Sequence, residues 1–324
     1  MALLQVADLR VAFNTPDGIV DAVRGLSFSV DAGRTLSLVG ESGSGKSVSM
    51  QAIMGLIRNA RISGQAFFDG RDLLALPASA MRQVRGRQIS MVFQDPLSSL
   101  HPYYRIGWQI TEMLRAHDAT MSKRSARARA IELLGQVGIP KAGRRIDDYP
   151  HQFSGGMRQR AMIAMAIALN PKLLIADEPT TALDVSVQAQ VLQLLRRVQQ
   201  EFGTAIIFIT HDLGVTAGMA DEVLVMYAGE AMEQAGRREL FYDYRHPYTE
   251  GLLFSLPAGG QRERLQPIPG QPPSLIRMPP GCPFHPRCRY AFARCRSEQP
   301  AAQKVGGDPG HLSACWLPDS SAEA

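Results

Sequence analysis

The sequence has no run of apolar residues near the ~18 that a membrane-spanning helix needs, so we expect that the chain does not cross a membrane itself. Its first residues mix polar side chains into what reads as a strand and lack the charged and apolar regions of a signal peptide. The net charge of +5 is modest and spread out, which argues against a dedicated nucleic-acid or membrane-surface protein. With 324 residues, 45% of them hydrophobic, the chain can bury a large core and has room for two domains.

A phosphate-binding loop is the strongest positive signal. Residues 40–47 read Gly-Glu-Ser-Gly-Ser-Gly-Lys-Ser, which fits the pattern G-x-x-x-x-G-K-[ST], and an apolar run at residues 35–39 supplies the preceding strand. The glycines let backbone N–H groups point at phosphate oxygens, while the lysine reaches the β- and γ-phosphates. The last serine would bind Mg²⁺ at the start of a helix predicted over residues 48–57. The nucleotide-binding residues predicted here are Gly40, Glu41, Ser42, Gly43, Ser44, Gly45, Lys46 and Ser47.

Two acids end a second apolar strand. Residues 173–178 read Leu-Leu-Ile-Ala-Asp-Glu, where Asp177 would help to hold Mg²⁺ and Glu178 would polarise the attacking water as a general base. Further short motifs stand in register with the two strands: Phe-Gln-Asp-Pro at 93–96, Phe-Ser-Gly-Gly-Met-Arg-Gln at 153–159, Ala-Leu-Asp at 182–184 and Thr-His-Asp at 210–212. Together with the P-loop, this set resembles the ATP-binding subunits of ABC transporters, in the order that the family requires.

The resemblance implies roles around a single nucleotide. Gln94 is expected in the mobile loop that senses the γ-phosphate and Mg²⁺ and reports them to the transport channel. His211 is expected to hydrogen-bond the γ-phosphate. Phe13 lies about where family members stack an aromatic ring on the adenine, although a strand residue packed in the core is the alternative.

The resemblance also implies a second subunit. Ser154, Gly155 and Gly156 open a helix and form an anion site like the P-loop, which one ATP cannot use together with the P-loop of the same chain. In the family this signature caps the γ-phosphate bound by another subunit, and Asp184 resembles the residue that couples the two sites. We therefore expect a chain that is catalytically incomplete as a monomer. Whether the partner is a second copy or a paralogue stays open.

The fold expected is α/β: a P-loop NTPase core of the ABC ATPase type, residues 1–240, with a mainly parallel sheet covered by helices. A helical subdomain is expected over about residues 96–160, with helices at 110–117 and 125–137. In the family its surface receives a coupling helix of the membrane subunit. Tyr103, Tyr104 and Trp108 are candidates for that contact, with core aromatics as the alternative.

A loop-rich extension is expected over residues 241–324, because 13 of the 21 prolines lie there. Its landmarks are His-Pro-Tyr at 246–248 and Gly-Cys-Pro-Phe-His-Pro-Arg-Cys at 281–288. These resemble the C-terminal extension of ATP-binding subunits of oligopeptide and dipeptide importers, with nickel importers as close relatives. All the phosphate motifs lie between residues 40 and 211, so this extension is expected to be separate from hydrolysis.

The extension holds every cysteine of the chain, namely Cys282, Cys288, Cys295 and Cys315. An intracellular compartment, as the resemblance implies, disfavours disulfides. Zinc is one alternative, although paired C-x₂-C spacing is missing. A [4Fe–4S] cluster is the second, since similar extensions carry this pattern and such a staple suits a proline-rich segment. Plain thiols are the third.

These observations predict an ATPase subunit, using ATP and Mg²⁺, that powers di- and oligopeptide import from the cytoplasmic face of the inner membrane. The implied partners are a second ABC ATPase subunit, two transmembrane permease subunits and, indirectly, an extracytoplasmic solute-binding protein. One alternative is the same role for nickel or another small solute. Another is a soluble ABC ATPase acting on nucleic acid or ribosomes, although the chain has neither two cassettes nor a long coiled coil.

Overall fold

The computed structural model describes residues 2–95, 99–181, 183–255, 267–306 and 310–317. Two residues of the predicted motifs, Pro96 and Ala182, lie outside these ranges. The chain packs as two units, the first formed by Met1–Asp31, Thr35–Leu76 and Phe208–Ala324, and the second by Ala32–Arg34 and Pro77–Ile207. None of the described helices is both long enough and apolar enough to span a membrane.

The first unit contains an antiparallel sheet in the order β2-β1-β4-β5. Its strands are β1 Ala2–Thr15, β2 Gly18–Asp31, β4 Ala60–Phe68 and β5 Arg71–Asp72. In β2 the side chains of Leu26, Phe28 and Val30 are buried while their neighbours are exposed, which is the alternation of a strand with one face on the core. This sheet was not predicted from the sequence, because irregular pairing and bulges break the alternation along β1.

A second group of strands in the first unit carries the P-loop. Strand β3, Thr35–Val39, pairs in parallel with β9, Glu222–Tyr227, which pairs antiparallel with β10, Glu230–Gly236. The extension adds β12, Leu312–Ser313, to β10 and then β11, Gln303–Lys304, to β12. The described helices of this unit are Lys46–Ile53, Leu213–Met219, Arg237–Tyr242, Pro247–Phe254 and Ala293–Ser297, with a 3-10 turn at His285–Arg287.

The second unit is mainly helical. Strands β6, Ile89–Val92, and β7, Leu173–Asp177, are fully buried and pair in parallel. Strand β8, Ala205–Thr210, begins in this unit and ends in the first. The described helices are Ala78–Val84, Ile106–His117, Lys123–Gln136, Ala142–Arg145, Gly155–Ile167 and Val185–Phe202, with a 3-10 turn at Pro150–Gln152.

The strand predicted at residues 35–39 is confirmed, as is the one predicted at 173–178, which the structure gives as Leu173–Asp177, and the predicted α/β class is confirmed with them. The helix after the P-loop is shorter than predicted, ending at Ile53 instead of residue 57. Met54 caps it, and Gly55 follows with φ of +60°, a left-handed conformation that commonly stops a helix. Hydrophobic spacing beyond residue 53 therefore reflects packing rather than continued helix.

The extension is not a separate tail, which corrects the sequence-based expectation. Its Tyr248, Cys282 and Phe284 are buried in one hydrophobic cluster with Val39 and Val225 of the P-loop sheet. The rings of Tyr227, Tyr248 and Phe284 pack together, with centroids 4.7 to 5.4 Å apart. Proline content predicted loops correctly, but loops can still bury apolar side chains against a neighbouring sheet.

Candidate functional site

The P-loop has a backbone that only glycine accommodates at two positions. Gly40 has φ of +149°, and a Cβ atom there would lie 2.1 Å from the carbonyl oxygen of Met226. Gly45 has φ of +97°, and its Cβ would lie 2.5 Å from the carbonyl oxygen of Ala22. At both positions the backbone has a positive φ and lies against a carbonyl oxygen of a neighbouring strand, so any side chain would displace the loop.

Lys46 is buried and folds back over this loop. Its Nζ donates to the carbonyl oxygens of Gly40 at 2.7 Å and Glu41 at 2.9 Å, and to Ser44 Oγ at 3.3 Å. The side-chain amine is therefore held inside the ring of backbone that the motif predicts as a phosphate cradle. Ser47 follows in the first turn of the helix, whose N-cap is Gly45.

His211 and Phe13 belong to the same unit as the P-loop. His211 is exposed directly after β8, and the next residue, Asp212, caps the helix Leu213–Met219 by accepting hydrogen bonds from two backbone N–H groups. Phe13 lies in β1 opposite Val20 and Ala60 and is half-buried. This partly exposed strand position is compatible both with stacking on a base and with packing against the core.

The carboxylates predicted for hydrolysis belong to the second unit. Asp177 is the buried last residue of β7, and Glu178 follows with φ of +45°, a strained conformation for a residue with a Cβ. Gln94 Nε2 and Thr181 Oγ1 both donate to Glu178 Oε2, at 2.9 and 2.8 Å. The fold therefore brings Gln94 and Glu178 together, as the motifs predict for neighbours in one site.

The signature motif sits at a helix N-terminus. Ser154 caps the helix Gly155–Ile167, and its Oγ accepts the Met157 N–H at 3.3 Å. Ser154 and Gly155 are exposed. Gly156 is half-buried, because a Cβ there would come within 2.7 Å of Val187 Cγ1. The glycine thus lets this helix approach the helix Val185–Phe202.

Asp184 begins that neighbouring helix. Its Oδ1 accepts the Val187 N–H at 2.9 Å and the Ser186 hydroxyl at 2.6 Å. These bonds, first the one from Ser186 and then the one from Val187, lower the pKa of the Asp184 carboxyl below its ordinary value. The carboxylate is exposed and already serves as a helix cap, a role that sequence reasoning missed.

The three aromatic residues that follow the Gln94 loop are all exposed, which rules out the core alternative for them. Tyr103 is 82% exposed, Trp108 is 47% exposed and Tyr104 is 44% exposed. The Tyr104 and Trp108 rings stack with centroids 4.1 Å apart. Gln109 holds the preceding turn by hydrogen bonds to backbone atoms of His101 and Tyr104.

The four cysteines of the extension are free thiols, of which Cys282 and Cys295 are buried and the other two half-buried. Burial raises the pKa of Cys282 to about 11, and the charges of Cys315, Cys295 and Cys288 would each add to that shift. Backbone N–H groups two residues further along the chain hydrogen-bond to Cys282, Cys288 and Cys315. Within the described ranges, however, no three His, Cys, Asp or Glu side chains have the arrangement of a metal site.

Residues 23–181 match the ABC transporter family, and residues 232–295 match the C-terminal region of oligopeptide/dipeptide transporters. The oligopeptide transport ATP-binding protein OppD of Escherichia coli is 54% identical over 98% of this chain and 94% of that protein. The dipeptide transport ATP-binding protein DppD of Lactococcus lactis is 50% identical over 99% of this chain and 92% of that protein.

A solved structure of an ATP-binding cassette is similar in fold to this chain. The dimeric ATP-binding cassette MJ0796, bound to ADP and Pi in a post-hydrolysis state, has a TM-score of 0.66 and 27% identity, covering 72% of this chain and 99% of that one. The ABC ATPase fold is thereby confirmed, and the oligopeptide/dipeptide match at residues 232–295 includes part of the extension. The chain belongs to the ATP-binding subunits of ABC transporters, in the group that carries the oligopeptide/dipeptide C-terminal region.

Proposed function

We propose that this chain is the ATPase subunit that powers import of di- or oligopeptides by an ABC transporter. The observation that carries the proposal is the full-length similarity, at 50 to 54% identity, to relatives named for oligopeptide and dipeptide transport. Because the relatives that match almost the whole chain are named for peptide transport, the similarity favours peptide over nickel or another small solute. It equally disfavours a soluble ATPase that acts on nucleic acid or ribosomes.

We assign the P-loop to the phosphates of ATP. Lys46 would leave its backbone carbonyl partners for the β- and γ-phosphates, and His211 would hydrogen-bond the γ-phosphate. Phe13, half-buried on its strand, would stack on adenine. Ser47, Gln94 and Asp177 offer hydroxyl, amide and carboxylate oxygens, which are the donors that Mg²⁺ prefers. Bound Mg²⁺ would neutralise charge on the phosphates.

Glu178 is assigned as the general base. Its Oε2 already accepts two hydrogen bonds, from Gln94 and Thr181, so the carboxylate has a fixed direction. A base that polarises water must be held in hydrogen-bond reach of it, and Gln94, which donates to Glu178, would link the base to the metal. The positive φ at Glu178 fits a residue held in a strained conformation for function.

A second ATPase subunit would complete the site. The exposed Ser154 and Gly155 are available to cap the ATP of a partner, and the exposed Asp184 would face the same partner. We propose that the partner is a paralogous subunit. In this chain, residues 1–240 would form the ATPase domain, with a helical subdomain at about 96–160. The extension at 241–324 would mark which of the two ATPase positions in the transporter this chain occupies.

The membrane subunits would dock on the helical subdomain. Tyr103, Tyr104 and Trp108 expose aromatic surface. Trp108 also lines a groove in which four cationic side chains outnumber the two carboxylates of Glu112 and Asp147, which suits a helix with both apolar and acidic side chains. The chain would then act as a peripheral subunit at the cytoplasmic face of the inner membrane, with the solute-binding protein on the other side.

We further propose that the four cysteines hold a structural metal centre, either [4Fe–4S] or zinc. Support comes from the electrostatic influence of the other three cysteines on Cys282 and from the N–H groups that hydrogen-bond to three sulfurs, contacts that lower the thiol pKa values against the larger, raising effect of burial. As they stand, the described thiols do not form a metal site, so binding would have to draw them together.

Replacement of the base tests the proposed hydrolysis. Glu178→Gln removes the negative charge but keeps the shape, so the variant should bind MgATP and lose hydrolysis by a factor on the order of 10² or more. It should also accumulate in the ATP-closed dimer. Glu201→Gln, the same change at an exposed helix end, is the matched control. Lys46→Ala should lose nucleotide binding instead. Near-normal hydrolysis by Glu178→Gln would refute the assignment.

A further inference from the structure

Glu41, the second residue of the P-loop, is held by a side chain from the extension. Arg287 donates from Nη1 to Glu41 Oε2 at 2.6 Å and from Nη2 to Glu41 Oε1 at 3.0 Å. This is a bidentate ion pair, the geometry that makes arginine–carboxylate contacts strong and directional. The Arg287 side chain is only 4% exposed and the Glu41 side chain 28% exposed, so solvent screens the pair weakly.

Arg287 is also held by hydrogen bonds to the extension and to a strand of the P-loop sheet. Its Nε donates to the carbonyl oxygen of Pro269 at 2.8 Å, and its Nη1 lies 3.3 Å from the hydroxyl of Tyr227. Burial by itself lowers the pKa of Arg287, but the hydrogen bonds with Glu41 and Tyr227 outweigh it, so the pKa lies above its ordinary value. The guanidinium thus reaches Glu41 already oriented.

Tyr248 holds the backbone of the same residue. Its hydroxyl oxygen accepts the Glu41 N–H at 2.9 Å, while its ring is fully buried. The His-Pro-Tyr motif explains this placement. His246 Nδ1 accepts the Tyr248 N–H at 3.0 Å and caps the helix Pro247–Phe254, which positions the tyrosine.

Glu41 in turn shapes the P-loop. Its carbonyl oxygen accepts hydrogen bonds from Lys46 Nζ at 2.9 Å and from the Ser44 N–H at 3.2 Å. A shift of Glu41 would therefore move the lysine and the backbone amides that meet phosphate. The Glu41 carboxylate also adds a negative charge to an anion-binding loop, and Arg287 is what neutralises it.

We propose that Arg287 and Tyr248 are positioning residues that hold the P-loop through Glu41, so that the extension sets the affinity of the site for MgATP. The inference rests on the proposed binding of ATP by this loop. The extension would then contribute to nucleotide binding through two side chains, Arg287 and Tyr248, that lie outside the ATPase core.

The test is MgATP binding by the purified full-length chain, measured as a Kd with a non-hydrolysable ATP analogue. Arg287→Ala should weaken binding about tenfold or more, because an uncompensated carboxylate then faces the phosphates. Arg287→Lys should fall in between, since lysine provides one point charge and no fork. Arg289→Ala is the matched control: the side chain is two positions away, 55% exposed and paired with Glu250, so Kd should not change.

A double variant separates positioning from the effect of an unpaired charge. In Glu41→Gln with Arg287→Ala the unpaired charge is gone but the contact that holds residue 41 is still broken, so Kd should stay at least about threefold weaker than in the unaltered chain. In the assembled transporter, Arg287→Ala should raise KM for ATP about tenfold and change kcat by less than about threefold. Full recovery of affinity in the double variant would overturn the inference, as would equal Kd values for the Arg287→Ala and Arg289→Ala chains.

Tyr248→Phe decides the matter if Arg287→Ala does not fold. The ring stays in the core and only the hydroxyl is lost, which leaves the Glu41 N–H without its acceptor. Binding about threefold weaker or more, at an unchanged melting temperature, supports the inference, and an unchanged Kd overturns it. If the unaltered chain failed to bind MgATP, the proposed function itself would fall, and the inference with it.

Discussion

At the scale of single residues, His246 is a buried group whose ionisation the fold opposes. Burial lowers the pKa of His246 from an ordinary 6.5 to about 4, although the nearby Glu233 carboxylate acts in the opposite direction. Glu233 is itself engaged, because it accepts hydrogen bonds from the backbone of Arg245 and His246 and is paired with the His311 ring. The folded state therefore holds His246 neutral.

A pH dependence of stability follows from that shift. Below pH 6.5 His246 becomes protonated in the unfolded chain but stays neutral in the folded chain. The free energy of unfolding therefore falls as the pH is lowered towards about 4, and below that pH His246 causes no further loss. Between pH 7 and pH 5 the loss should be about 2 kcal/mol. Urea unfolding of the His246→Asn variant should show a correspondingly smaller loss; an identical pH slope in both proteins would contradict the assignment.

Some functional residues can be predicted from the sequence and others cannot. The P-loop, the acids at 177 and 178 and the signature were recognisable because each is a short motif with its own chemistry. The Arg287–Glu41 pair was not, because its members are 246 positions apart and no local pattern links them. Likewise, the strain at Glu178 and the capping by Asp184 depend on backbone conformations that the motif letters do not specify.

At the scale of elements, the packing of the signature helix on the helix Val185–Phe202 depends on one glycine. Gly156→Ala would place a Cβ 2.7 Å from Val187 Cγ1 and force the two helices apart, at a cost of about 1 to 3 kcal/mol of stability. Gly155→Ala is the matched control, since nothing lies within 4 Å of its added Cβ, and it should be neutral or slightly stabilising. Thermal unfolding of both variants tests this prediction, and Gly156→Ala should have the lower melting temperature. Equal melting temperatures would contradict this packing.

The extension is the element for which sequence reasoning needs most revision. Its proline content indicates loops but not their burial, and the location of the phosphate motifs between residues 40 and 211 predicts an extension that is separate from hydrolysis. Arg287, the neighbour of Cys288, instead contacts the P-loop. We now expect Cys288→Ser to destabilise the extension, reduce assembly of the complex and weaken MgATP binding as well.

The metal content of the extension can be measured directly. Protein purified without oxygen should be brown, with broad absorbance near ~400 nm and iron matching sulfide if the centre is [4Fe–4S], or colourless with one zinc if it is a zinc site. Either centre should be lost in Cys288→Ser. Metal-free protein with four freely titrating thiols and an intact complex would refute the proposed centre and reduce the cofactors to ATP and Mg²⁺.

At the scale of the whole molecule, the ATPase motifs are divided between the two packing units. The P-loop and His211 belong to the first unit, while Gln94, Glu178 and the signature belong to the second. Sequence reasoning predicted the strands that precede the P-loop and Glu178, because the apolar runs there are unambiguous. It could not predict the antiparallel sheet of the first unit, whose strands are long, bulged and partly exposed.

The exposure of the signature on a single chain leads to a prediction about assembly. The purified chain should be largely monomeric with weak ATPase activity, because capping of the γ-phosphate requires the signature of another subunit. A paralogous subunit together with the membrane pair should stimulate it. Strong cooperative activity from this chain alone would argue for a homodimer.

The most direct test of ATP-driven peptide import is the ATPase rate of the complex in lipid vesicles, measured with peptide-loaded binding protein and without it. The account predicts that the loaded protein stimulates hydrolysis, that labelled peptide accumulates only with ATP, and that Glu178→Gln in this chain abolishes accumulation while ATP still binds. Hydrolysis indifferent to peptide, or peptide uptake that persists in the Glu178→Gln complex, would contradict it.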